Sequence, residues 1–180
     1  MKRFVQGKYG RQTMRFYPAP FRAPLRAFAV LVFAWREDKV LVCDIAGRGW
    51  CVPSGRVERD ESSCEAGLRE AVEEGGAVVA NVQYIGCYEI RDRNEVRWAD
   101  CYTGIVSELG EITVREESKG RRLVTQEELP DLYHLWNELT EQVFRHAAEV
   151  AQRASEWSAA NDSDPPCCPA PQTARQGRHR

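Results

Sequence analysis

The segment from Ser62 to Gly76 constrains the fold of this chain more than any other. Ser62 is followed three residues later by Glu65, a capping box that predicts the start of a helix at about Ser63. Gly75 and Gly76 predict its end, with Gly76 as the left-handed residue after the last turn. A helix of about three turns is therefore expected here, between apolar runs on both sides.

One face of this predicted helix is apolar and the other is acidic. At about 100° per residue, the apolar stripe contains Cys64, Leu68, Ala71, Val72 and Gly75. Glu70, Glu73 and Glu74 fall within an arc of about 100° on the opposite side. Such neighbouring like charges repel by a few tenths of a kcal/mol per pair. The cluster is either a solvated acidic face or a set of oxygen ligands for Mg²⁺ or Mn²⁺, and we favour the second interpretation.

The charged pattern extends beyond the helix. It comprises Gly55, five residues, Glu61, seven residues, Arg69, Glu70, Ala71, one residue, Glu73, Glu74, one residue, Gly76 and Ala77. This spacing resembles the Nudix box. The resemblance to Nudix hydrolases covers roughly residues 26–152 in the order of elements, and its specific part is confined to Trp50–Ala77.

The resemblance implies a fold, an activity and a set of site residues. The fold is α/β, an α/β/α sandwich with a mixed β-sheet between helices. The activity is hydrolysis of a diphosphate bond in a nucleoside diphosphate linked to another group, with Mg²⁺ or Mn²⁺ as cofactor. The implied metal ligands are Glu70, Glu73, Glu74 and the backbone carbonyl of Ser54. Glu61 and Arg69 match a pair that orients the loop and the helix.

The catalytic base and the substrate contacts are less constrained by the sequence. The resemblance implies that the base is a glutamate of the box or of a later loop, which gives Glu73, Glu116 or Glu117 as candidates. We favour Glu117 because the run EESKGRRLV precedes a short predicted strand, where such a loop glutamate commonly falls in the family. Aromatic and basic residues of the later strands are candidates for stacking on a base or holding a phosphate, with core packing and solvated turns as the alternatives. The selected candidates are Arg91, Arg121 and Trp98.

Apolar periodicity predicts the remaining elements. Continuous apolar runs predict buried strands over residues 28–35 and 40–45, and two more strands are expected over 78–90 and 96–107. A short strand is expected over 121–124. Asp131 is expected to cap a long final helix whose stripe includes Leu135, Trp136 and Leu139.

Composition indicates one domain with two loose ends. Residues 1–25 are basic and contain prolines, which predicts an extended arm. This arm either attracts phosphate or RNA or is a solvated segment that packs Phe16, Tyr17 and Phe21 on the domain, and we favour the second interpretation. Residues 26–153 are expected to form the Nudix-like domain and residues 154–180 a disordered tail. The net charge of -2 and the lack of a long apolar run predict a cytoplasmic protein that does not bind membranes. The five scattered cysteines are expected to be buried and reduced.

Two alternative functions stay open at this point. A domain of this kind can bind a nucleotide as a sensor or regulator without cleaving it, although intact glutamates count against that. The basic arm would suit an enzyme that removes pyrophosphate from the 5′ end of RNA, so nucleic acid is a less favoured partner than a small nucleotide. The sequence does not predict the oligomeric state.

Overall fold

A computed structural model of the chain describes residues 3–161, and within them the chain forms nine strands and three helices. The strands are β1 (Gly7–Tyr9), β2 (Gln12–Pro18), β3 (Ala29–Arg36), β4 (Lys39–Ile45), β5 (Gly49–Cys51), β6 (Ser54–Arg56), β7 (Ala77–Asp92), β8 (Glu95–Leu109) and β9 (Ser118–Val124). The helices are α1 (Ser63–Gly75), α2 (Leu129–Leu132) and α3 (Glu138–Asn161).

All nine strands belong to one mixed sheet. The main path runs β1-β2-β7-β8-β3-β4-β5, while β6 pairs with β3 and β9 pairs with β4. β3 and β8 are parallel, with Val32 opposite Tyr102, and the other pairings are antiparallel. The sheet is therefore mixed, as the resemblance implied.

The two longer helices cover opposite faces of this sheet. Successive side chains of a strand point to opposite faces. Val32 of β3 lies under α1, where a Cβ built on Gly67 would be 2.7 Å from its Cγ2. The next residue, Phe33, packs edge-to-face on Phe144 of α3, with ring centroids 4.9 Å apart. This arrangement confirms the α/β/α sandwich.

Helix α1 has the predicted ends but a different buried face. The Ser62 hydroxyl accepts from the Glu65 N–H, Glu65 accepts from the Ser62 N–H, and Gly76 is left-handed at φ 57°. The predicted stripe was wrong at Val72, which is 40% exposed. The helix instead rests on the sheet through small residues: a Cβ on Gly75 would lie 2.8 Å from Leu41. Because α1 approaches the sheet closely at its glycines, the helix is rotated about its axis so that Glu70 and Glu74 are buried.

The first described residues join the sheet. Residues 7–18, within the segment expected to be an extended arm, form the β1–β2 hairpin, and β2 pairs with β7. Phe16 is buried and packs on Tyr88 with ring centroids 5.2 Å apart. Residues 7–18 are therefore part of the sheet, and Phe16 contributes to the core.

The final helix begins later than predicted. Asp131 lies inside the short α2 rather than at the start of α3, and Leu135 and Trp136 precede α3. The chain leaves α2 at Tyr133, which has an extended backbone and a buried side chain, so the helix cannot continue through it. Asn137 accepts from the Thr140 N–H at 3.1 Å, in the first turn of α3.

The end of the chain is described only in part. α3 continues to Asn161, so the first residues of the expected tail are helical. The rest of that predicted tail lies outside the described residues. In the part of the chain that the structure describes, no helix is both long and apolar enough to cross a membrane. The five scattered cysteines are buried and free, as predicted.

Candidate active site

Arg69 is the centre of a charged network on α1. Its guanidinium donates twice to Glu61, from Nη2 at 2.8 Å and from Nε at 3.2 Å. Its Nη1 donates to Glu70 at 2.8 Å and to Glu73 at 2.9 Å. Nη2 also donates to the backbone carbonyl of Arg56 at 3.1 Å. One cation therefore ties the loop before the helix to two carboxylates on it.

Glu74 is held by the backbone of β6 instead. Its carboxylate accepts from the Ser54 N–H at 2.9 Å, and its side chain is almost fully buried, with 3% of the residue exposed. Arg48, on the turn between β4 and β5, donates to the Ser54 hydroxyl at 2.8 Å. Ser54 thus links Glu74 to a second cation.

Three carboxylates of the site differ in their electrostatic surroundings. Burial raises the pKa of Glu74 to about 7, and the nearby charges of Glu70 and Glu117 add to this effect. Burial also raises the pKa of Glu70, although the hydrogen bond from Arg69 opposes the change. Hydrogen bonding to Arg69 lowers the pKa of Glu61. The site therefore holds more buried negative charge than its cations neutralise.

Gly55 makes room for Glu70. A Cβ at this position would overlap the Glu70 carboxylate, so a side chain here is incompatible with the observed geometry. Gly55 pairs with Val30 of β3, which fixes the loop against the sheet. The glycine is needed for the close approach of the Glu70 carboxylate to the backbone.

A cavity of about 640 Å³ opens from these residues. Its charged end is lined by Arg48, Arg56, Glu70, Glu74 and Glu117. The cavity continues across the sheet to the β1–β2 hairpin and to the residues that follow α2. Sequence reasoning missed this second end, which is lined by residues such as Tyr9, Gln12, Met14, Tyr88 and Ile90. No local pattern marks these residues, because they come from separate segments of the chain.

The candidates for the base are placed differently. Glu117 lines the cavity, and its charge raises the pKa of both Glu70 and Glu74. Glu73 is paired with Arg69 and is not among the residues that line the cavity. Glu116 does not line it either. Glu117 thus shares the cavity with Glu70 and Glu74. Glu73 lies outside the cavity lining but shares Arg69 with Glu70, and its charge also raises the pKa of Glu70.

The three substrate-binding candidates lie elsewhere. Arg91 is exposed and pairs with Glu89. Arg121 donates from Nη1 to the carbonyls of Gly75 at 2.7 Å and Gly110 at 2.6 Å. Trp98 is buried among other aromatic rings. None of the three candidates lines the cavity, so this geometry gives no support to their role in substrate binding.

The donor set at the charged end suits a hard divalent cation. Carboxylate and carbonyl oxygens are the ligands that Mg²⁺ and Mn²⁺ prefer, and Glu70 and Glu74 are buried with raised pKa values. Within residues 3–161, no three His, Cys, Asp or Glu side chains stand in an arrangement that could hold a metal ion. Arg69 occupies one oxygen of Glu70 and one of Glu73. These carboxylates fit a cation if they turn away from Arg69.

The sequence and structure match known proteins. A family model described as NUDIX domain matches residues 25–147. A Bacillus subtilis (strain 168) protein, YtkD, provisionally named an 8-oxo-dGTP diphosphatase, is 34% identical over 93 residues. That match covers 52% of this chain and 58% of YtkD, so the chain spans little more than half the length of this curated relative.

Two solved structures are also similar. The crystal structure of a mutant of the Bacillus subtilis pyrophosphohydrolase BsRppH has a TM-score of 0.67 at 25% identity, covering 85% of this chain and 98% of that one. A NUDIX hydrolase from Nitrosomonas europaea has a TM-score of 0.59 at 16% identity, covering 70% of this chain and 90% of that one. The second likeness concerns the fold alone.

Proposed function

This chain belongs to the Nudix hydrolase family, and on that premise we propose that it uses Mg²⁺ or Mn²⁺ to hydrolyse a diphosphate bond of a small nucleotide. The substrate class is a nucleoside diphosphate linked to another group, which includes nucleoside triphosphates. The observation that carries the proposal is the burial of Glu70 and Glu74 beside Gly55, at one end of a cavity. Buried carboxylates with too little positive charge around them favour a bound cation.

The residues that would hold the metal are those at the charged end. Glu70, Glu74 and the backbone carbonyl of Ser54 are the proposed ligands, and Glu73 joins them when it separates from Arg69. When bound, the ion neutralises charge on the phosphate oxygens and lowers the pKa of a coordinated water. Glu61 and Arg69 position the loop and α1 relative to each other through the network described above.

The other charged residues have separate proposed roles. Glu117 is the proposed base, which accepts a proton from the water that attacks phosphorus, because it lines the cavity beside Glu70 and Glu74. Arg48 lines the same end and is proposed to contact phosphate oxygens. With these assignments, the negative charge of the phosphates is neutralised by the bound ion on one side and by Arg48 on the other. Glu117 is the carboxylate near the attacking water.

A hydrolysis assay tests the proposal. Release of phosphate or pyrophosphate is measured for a panel of nucleoside triphosphates and nucleoside diphosphate derivatives, with Mg²⁺, with Mn²⁺ and with a chelator. The name of YtkD supports including 8-oxo-dGTP and dGTP. Glu74→Gln is expected to lower turnover about a hundredfold or more. The matched control is Glu108→Gln, an exposed glutamate on β8.

The possible results separate the functions. Metal-dependent turnover that is lost in Glu74→Gln but kept in Glu108→Gln supports the hydrolase and identifies its substrate class. Near-normal rates in Glu74→Gln would refute the metal assignment. Binding of a nucleotide without turnover of any substrate would instead support the sensor function.

A second candidate is removal of pyrophosphate from the 5′ end of RNA. It is favoured by the exposed basic residues Lys8, Arg11 and Arg15 of the β1–β2 hairpin. If the hairpin contacts an RNA backbone, binding of a 5′-triphosphorylated oligonucleotide weakens steeply with salt, and Lys8→Ala with Arg15→Ala reduces the slope of that dependence. Salt-insensitive binding, or an unchanged slope in the double variant, would exclude this function.

A further inference from the structure

We propose that the end of the cavity remote from the carboxylates is a nucleobase-binding subsite, in which Tyr9 stacks on the base and Gln12 hydrogen-bonds to its edge. The inference rests on the proposed function, because the phosphates of the same ligand would occupy the charged end. It assigns substrate selection to the β1–β2 hairpin, which provides both residues.

The distribution of charge along the cavity supports this assignment. None of the charged side chains that line it comes from the hairpin or from β7: they lie on α1, on β6, in the β4–β5 turn and in the loop before β9. The remote end is lined by apolar and aromatic side chains with a few neutral polar groups, such as Gln12. A second phosphate would require cations there, and a sugar would require more donors and acceptors. A flat, neutral group with hydrogen-bonding edges fits best.

Two aromatic rings are available for stacking. Tyr9 is 47% exposed and Phe28 is 37% exposed, yet both line the cavity. The Tyr9 ring meets His134 edge-to-face with centroids 6.1 Å apart, so its orientation is already restricted before a ligand binds. Burial lowers the pKa of His134, which keeps its ring neutral at pH 7. Base–aromatic stacking is a strong and sequence-tolerant source of affinity.

Gln12 supplies the hydrogen-bonding group. Its Nε2 donates to Asp92 at 3.3 Å, and Gln12 lies opposite Tyr9 in the hairpin. A side-chain amide offers two donors and a carbonyl oxygen, so one bond to Asp92 leaves capacity for a base edge. The amide is therefore held in place and still able to distinguish bases.

The dimensions and the chain position of this subsite are consistent with the proposal. His134 lies between the hairpin and the β4–β5 segment: its ring meets Tyr9, and its backbone N–H donates to the Trp50 carbonyl at 2.9 Å. The cavity that the hairpin shares with the charged end has a volume of about 640 Å³, which accommodates a nucleotide. The β1–β2 hairpin lies outside residues 25–147, which match the family model, so selection by this hairpin would add to what that domain provides.

The test compares substrates with and without a base. The value of kcat/KM is measured for nucleoside triphosphates carrying each of the four bases, for 8-oxo-dGTP and for inorganic tripolyphosphate. The wild-type protein is expected to prefer its best nucleotide over tripolyphosphate about tenfold or more. Tyr9→Ala is expected to lower kcat/KM for nucleotides about fivefold or more, mainly through KM, and to leave tripolyphosphate unchanged.

Matched variants separate recognition from folding. Tyr9→Phe retains the ring and is expected to restore the preference. Gln6→Ala, at an exposed position just before β1 that does not line the cavity, is expected to change nothing. Gln12→Ala is expected to reduce the differences between bases while affecting tripolyphosphate little. Equal losses for nucleotides and tripolyphosphate in Tyr9→Ala, or equal rates for both in the wild-type protein, would overturn the subsite.

A binding measurement keeps the two proposals distinguishable. If no substrate is turned over, the hydrolase proposal fails, and calorimetry then compares a non-hydrolysable α,β-methylene nucleotide with methylenediphosphonate. A preference for the nucleotide that disappears in Tyr9→Ala would support the subsite without hydrolysis. No preference would overturn the subsite as well.

Discussion

Neutralising Glu74 should make the metal-free protein more stable while removing its activity. Burial raises the pKa of Glu74 from 4.5 to about 7, so the ionised carboxylate is less favourable in the folded than in the unfolded chain. Each unit of pKa difference corresponds to about 1.4 kcal/mol, which gives a cost of up to about 3 kcal/mol at pH 8. Glu74→Gln removes this cost and keeps an oxygen that can accept from the Ser54 N–H.

The sign of the pH dependence follows from proton binding. Between pH 4.5 and 7 the folded chain holds a proton on Glu74 that the unfolded chain has released. The contribution of this group to stability is therefore favourable at low pH and is lost as the pH rises through about 7. The variant lacks the group, so the difference between the two proteins should be near zero at about pH 4.5 and largest at about pH 8.

Urea denaturation followed by tryptophan fluorescence measures this difference. Both proteins are unfolded in EDTA at several values between about pH 4.5 and 8, with Glu108→Gln as the control, and other titrating groups cancel in the comparison. Adding Mg²⁺ should stabilise the wild-type protein more than Glu74→Gln. A variant that is no more stable than the wild-type protein at the alkaline end would refute the claim that Glu74 is an uncompensated buried charge.

Three further outcomes are expected. Gly55→Ala should lower turnover about a hundredfold or more while the protein still folds, because its Cβ displaces Glu70; normal turnover with Mg²⁺ would contradict this. Arg121→Ala should lower the free energy of unfolding by about 1–3 kcal/mol and leave KM unchanged, because two hydrogen bonds to backbone carbonyls are lost. A raised KM at unchanged stability would instead support Arg121 as a substrate contact. Glu117→Gln should lower kcat about a hundredfold or more with KM little changed, whereas Glu116→Gln should not; similar rates in both would exclude Glu117 as the base.

The local features of the fold were predictable from the sequence. The capping box and Gly76 fix both ends of α1 because they involve backbone groups within one turn of the helix. The mixed sandwich followed from the resemblance. The pairing of Arg69 with Glu61, which the resemblance also implied, is present with two hydrogen bonds.

The features that depend on contacts distant along the sequence were not predictable. The buried face of α1 is set by how closely Gly67 and Gly75 approach the sheet, which helical periodicity does not reveal. The β1–β2 hairpin gains its order from β7, more than 70 residues away, as in the pairing of Met14 with Ile90. For the same reason, the hairpin's contribution to the cavity has no signature in its own basic, proline-containing sequence.

The parallel pairing of β3 with β8 has a consequence for the order of folding. Val32 and Tyr102 are about 70 residues apart, so this contact closes a long loop before any pairing energy is gained. The proposed metal ligands on β6 and α1 lie fewer than 25 residues apart in the sequence, whereas the floor leading to the hairpin exists only after β3 has docked on β8. During refolding, metal affinity should therefore recover before affinity for a nucleotide does.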